Sequence, residues 1–202
     1  MRADSIVLAI AGVLFGVIVG WVLGSQQARP GVPAPQAAQT PAVGQAAQQG
    51  SRAVPVDPAR ASALENVAQQ NPKDAQPRVQ LGNMYFDAEQ YPQAISWYEQ
   101  AFALEKKDPN LSTDLGVAYY YTNQPDRAIT QFEHSLSVDP KHVKTLLNMG
   151  IVRAFGKQDL EGAAKAWEQV VAIDPNSQEG QAARKGLEGL RNAHPPGTTG
   201  GQ

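Results

Sequence analysis

The amino-acid sequence predicts an all-α protein: a solenoid of helical hairpins, preceded by a single transmembrane helix and a disordered linker. Three observations carry this reading. Leu81-Gly82, Leu115-Gly116 and Met149-Gly150 recur at an interval of 34 residues. After each pair comes an apolar set spaced i, i+1, i+4, i+7, i+8, which is one face of an α-helix. Ahead of them, the nineteen residues from Ile6 to Gly24 carry no charged or strongly polar side chain. The chain divides accordingly into a short tail (1–4), a membrane helix (5–24), a linker (25–58), a helical array (59–191) and a disordered tail (192–202).

Composition narrows the function classes. Charged residues are 18% of the 202, below the roughly 25% of an average soluble domain. The absence of cysteine excludes disulfides, a thiol nucleophile and thiolate metal sites. A net charge of −2 gives no electrostatic case for nucleic acid.

As a helix, Ile6 to Gly24 measures ~28 Å, enough to cross a ~30 Å hydrocarbon core. A cleavable signal peptide is the alternative, with Arg2 as its positive region. The run exceeds the usual ~7–15 apolar residues, however, and Leu23-Gly24 matches a small-residue cleavage site poorly. An uncleaved single-pass anchor is therefore expected. Arg2 and the α-amino group precede the span and Arg29 follows it, which leans toward a cytoplasmic N-terminus. In a bacterium this is an inner-membrane protein with its soluble domain in the periplasm. Gly12, Gly16, Gly20 and Gly24 fall every fourth residue. Such a stripe lets another helix approach closely, for a homodimer or a membrane partner, although glycine is common in membrane helices anyway.

Ser25 to Pro58 holds six prolines and only Arg29, Arg52 and Asp57 as charges. Proline forbids a continuous helix, and the sparse apolar side chains cannot offset ordering entropy. The stretch reads as a tether of ~30 Å r.m.s. span; Pro30-x-x-Pro33 is plain spacer.

In the array, Tyr85, Tyr119 and Arg153 stand three residues after the repeating glycines. The second-helix sets are Ala94-Ile95, Tyr98, Ala101-Phe102; Ala128-Ile129, Phe132, Ser135-Leu136; and Ala163-Ala164, Trp167, Val170-Val171. Asp139-Pro140 and Asp174-Pro175 close two units. This pattern resembles the tetratricopeptide repeat, over about two-thirds of the chain. Arg78, Ser112 and Leu146 replace the family's usual tryptophan, and Lys106 replaces the first unit's proline. The third unit carries one extra residue between Phe155 and Leu160. Repeats are expected at 75–108, 109–142 and 143–177, after a half-repeat at 59–74 bearing Arg60, Ala61, Leu64, Val67 and Ala68. A capping helix over 178–191, N-capped by Ser177, closes the array, as a solenoid end must turn polar residues to water.

The resemblance implies a right-handed superhelix whose concave face is lined by each unit's first helix. It places Val79, Asn83, Phe86 and Asp87 in a peptide-binding groove, with Thr113, Val117, Tyr120 and Tyr121, and with Lys144, Leu147, Ile151 and Phe155. Aromatic and apolar side chains there suit peptide recognition. Relatives that clamp acidic chaperone tails use Lys, Asn, Asn, Lys and Arg. The matching positions are Val79, Asn83, Asp114, Lys144 and Asn148, and Asp114 would repel a carboxylate. No enzyme motif is present; His134, His142 and His194 share no metal-ligand spacing, and neither cofactor nor metal is expected. The expected function is a non-catalytic membrane-anchored scaffold that binds a protein or peptide and supports assembly of an envelope complex. By analogy, an assembly factor for c-type cytochromes is a narrower alternative, because the Ala163-x3-Trp167 helix and late loop insertion look like those of that pathway. A structural subunit dimerising through its glycine stripe is another.

Overall fold

The structure is a computed structural model that describes residues 53–193. The apolar run with Gly12, Gly16, Gly20 and Gly24, most of the linker and the tail from 194 lie outside the described residues. Among those described, no helix is long and apolar enough to cross a membrane.

The helices are α1 (Pro58–Gln70), α2 (Gln76–Asp87), α3 (Tyr91–Leu104), α4 (Pro109–Tyr121), α5 (Pro125–Val138), α6 (Val143–Ile151), α7 (Leu160–Ile173) and α8 (Gln178–Ala193). A π-helical turn, Val152–Gly156, continues α6. Sequence punctuation sets the ends. Proline stands in the first turn of α1 to α5, where its missing N–H costs nothing. Asp57, Asp108 and Asp159 accept first-turn N–H groups, and Ser177 Oγ accepts from Gly180 N–H at 3.0 Å. Residues 53–57, read as linker, form no helix, and Val54 N–H donates to the Asp87 carbonyl at 3.1 Å. The last helix continues to Ala193, two residues into the stretch read as tail.

The first and second helices of each unit pack as hairpins, α2 on α3, α4 on α5 and α6 on α7, and each hairpin stacks on the next. The first helices also meet one another, α4 on α6 and α6 on α8. They form the inner layer. Within each hairpin a ring lies flat against a glycine. A Cβ on Gly116 would stand 2.5 Å from the Phe132 ring, and a Cβ on Gly82 or Gly150 would overlap Tyr98 or Trp167. These three rings are 0–2% exposed; burying each contributes about 2–3 kcal/mol. Each ring presses on the glycine of its own unit.

Unit length is settled inside a helix. Glu89, Asn123 and Gln158 occupy the same left-handed turn position, with φ of 58°, 59° and 57°, each two residues before its second helix. The first two turns close through Gln90 N–H to Tyr85 O and Gln124 N–H to Tyr119 O. In the third, Asp159 N–H reaches back one residue further, to Arg153 O at 2.8 Å, and Lys157 N–H bonds Val152 O. The extra residue of the third unit therefore sits in the π-helical turn and not in a loop insertion after Phe155.

Candidate peptide-binding face

The inner face follows from helix periodicity: residues three and four apart on α2, α4 and α6 share one side. Val79, Phe86, Val117, Tyr120, Tyr121, Leu147 and Phe155 are half-buried. Their inner sides rest on the core while the rest stays accessible. Val79, Phe86 and Val117 pack on the core of the first two units, Leu147 and Phe155 on that around Trp167, and Tyr120 on both. Trp167 also donates its indole N–H to the Leu147 carbonyl at 3.1 Å, which fixes this part of α6.

Two of the twelve expected groove residues do not line it. Thr113 is 0% exposed and Ile151 5%. Ile151 closes α6 at the π-helical turn and joins the core around Trp167. Thr113 belongs to a buried hydroxyl cluster recruited from three helices. Its Oγ1 lies 2.6 Å from Thr145 Oγ1 and 3.2 Å from Ser135 Oγ, and Ser135 Oγ is 2.7 Å from Thr145 Oγ1. Thr113 and Ser135 both donate to the Pro109 carbonyl. His142 Nδ1, 2.6 Å from Thr145 Oγ1, closes the network, and its Nε2 donates to Asn110 Oδ1. Burial pushes the His142 pKa below its ordinary value, which favours the neutral ring. The cluster holds helices together; it is not a ligand site.

Part of Tyr121 is committed to contacts within the protein. Its ring stacks on Tyr91 at a centroid distance of 4.6 Å and meets Phe86 edge-on at 5.6 Å, and Phe86 in turn meets Tyr91 at 5.3 Å. Burial pushes the Tyr121 hydroxyl up to about 12. Tyr91 opens a second helix, outside the first-helix positions that the repeat pattern assigns to the face.

A polar line crosses the same face. Asn83 Oδ1 accepts from the buried Tyr98 hydroxyl at 2.7 Å. On α4 and α6, Asp114 and Lys144 pair at 2.7 Å, both about a quarter exposed. Asp87 is exposed at the end of α2 and has no ion pair among the described residues. Burial of its carboxyl and the nearby Asp114 charge raise its pKa. Among the described residues no group of His, Asp and Glu is arranged to hold a metal, and His134 is spent donating Nε2–H to the Lys106 carbonyl.

Comparison with known proteins bears on the fold. Residues 82–123 match a family profile described as TPR repeat, and residues 113–178 one described as tetratricopeptide repeat. Among solved structures, MamA aligns with a TM-score of 0.56 at 17% identity, covering 66% of this chain and 84% of that one. The Sgt2 TPR domain from Aspergillus fumigatus aligns at 0.53 and 28% identity, covering 58% and 77%. The first TPR of Spaghetti (RPAP3), bound to the HSP90 peptide SRMEEVD, aligns at 0.52 and 26%, covering 57% and 94%. No curated protein sequence matches. The described helices are an all-helical tetratricopeptide solenoid.

Proposed function

From a tetratricopeptide solenoid with a half-exposed apolar face, we propose a non-catalytic scaffold that binds a protein or peptide segment along α2, α4 and α6. One observation carries this reading. Val117, Tyr120 and Leu147 keep apolar surface accessible on adjacent first helices, where a purely solvated face would be polar. A similar solenoid, the RPAP3 domain, holds a peptide. In the proposed arrangement Ile6–Gly24 anchors the chain in a bacterial inner membrane with the solenoid on the periplasmic side. Tethering then raises the effective concentration of the face toward membrane-bound clients, which suits assembly of an envelope complex.

Site-specific photocrosslinking tests the face. A benzophenone side chain at Asn83 or Leu147 in the full chain is expected to give discrete adducts in cells; one at Gln100 or Thr130, exposed on second helices, is not. Equal adducts from both sets would sink the proposal. A periplasm-dependent reporter fused after residue 58 tests the topology, and its inactivity would refute the anchor orientation.

A further inference from the structure

We propose that this face takes a segment with a central lysine or arginine flanked by apolar or aromatic residues, an inference that rests on the peptide-binding reading above and specifies its ligand. The argument is charge complementarity on an apolar surface. Lys144 is the only cation among the twelve expected face residues, and Asp114 pairs with it at 2.7 Å. The carboxylate of Asp87 stands exposed, unpaired with any cation among the described residues. Its surroundings, partly dry and facing the Asp114 charge, disfavour ionisation. An arriving cation relieves that penalty, whereas an arriving carboxylate adds to it. Phe86, the residue before Asp87 on α2, meets Tyr91 and Tyr121 edge-on, and rings of this kind accept a guanidinium or an alkyl-ammonium stem. A ligand with an apolar side chain there would leave Asp87 facing it unpaired, and an acidic tail would meet the unpaired Asp87 carboxylate beside the Asp114–Lys144 pair.

The test is selection of a random twelve-residue phage-displayed library on the immobilised full-length chain, as wild type, Asp87→Asn and Val117→Arg. Circular dichroism first confirms that each variant keeps wild-type helicity. Asn83→Lys, on an exposed position, replaces Val117→Arg if that variant unfolds. Wild type is expected to enrich Lys or Arg between apolar residues. A synthetic peptide from that pool should bind Asp87→Asn about tenfold more weakly. Changing its basic residue to norleucine should cost as much on wild type and nothing on Asp87→Asn. Pools that need the face but are neutral or acidic at their centre overturn this inference and leave peptide binding standing. No enrichment, or pools indifferent to the face variant, overturns both.

Discussion

Gly150→Ala isolates the contact on which each hairpin is built. In an exposed helix this change would stabilise by about 1 kcal/mol, because glycine is the poorer helix former. Here the new methyl would stand 2.5 Å from Trp167 Cδ1 and 2.7 Å from Cε2, with Trp167 1% exposed. Such overpacking costs about 1–3 kcal/mol. Displacing the indole also breaks its 3.1 Å bond to the Leu147 carbonyl and strands a buried N–H, a further ~1–3 kcal/mol. After the propensity gain, a net loss of about 1–5 kcal/mol, centred near 3, is expected, a Tm drop on the order of 10 °C for a domain of this size. Urea and thermal melts followed by circular dichroism at 222 nm measure it. A double-mutant cycle with Trp167→Leu assigns the cause: once the indole is gone, the alanine should cost less than ~1 kcal/mol. A neutral or stabilising Gly150→Ala in the wild-type background would refute the reasoning, since helix propensity alone gives that sign.

Thr145→Val removes the hydroxyl shared by Thr113, Ser135 and His142 and should cost about 1–3 kcal/mol in chemical denaturation, because the hydroxyls and ring left behind are buried. His142 has a folded pKa below its ordinary value, so the unfolded chain takes up the proton first on acidification. Its contribution is intact above the unfolded value near 6.5 and is lost as pH falls from there toward the folded value. Melting at pH 7.5 and 5.5 should show a smaller acid-induced drop for His142→Gln than for wild type. Asp159→Ala removes the α7 cap to Gly162 N–H at 2.8 Å and the partner of Arg153 at 3.0 Å. A loss of about 1–2 kcal/mol is expected, and an unchanged melting temperature would contradict the capping role.

The fold was legible because the contacts that build it are local and recurrent. Gly82 with Tyr98, Gly116 with Phe132 and Gly150 with Trp167 each lie within one unit, so the period in the sequence is the period of the packing. Ser177 was readable as a cap for the same reason. Partial accessibility was legible where it follows helix phase alone, as at Val117, Tyr120 and Leu147. It was not where a neighbouring unit intervenes. Thr113 occupies a groove register position, yet Ser135 and Thr145, 22 and 32 residues away, enclose it. Ile151 fails because the helix leaves α-geometry immediately after it. Phe86 and Tyr121 are partly consumed by Tyr91, a long-range stacking that periodicity cannot reveal.

The π-helical turn at Val152–Gly156 bears on how such an array tolerates change of length. One residue added to a regular helix would rotate everything after it by ~100° and carry it forward ~1.5 Å. Widening a single turn absorbs the addition locally. The left-handed residue Gln158 keeps its place relative to α7, and α8 still meets α7 as the other hairpins meet their successors. The solenoid thus keeps step by turns rather than by residues, so a single-codon insertion or deletion at this point of a unit can be inherited without unthreading the stack that follows.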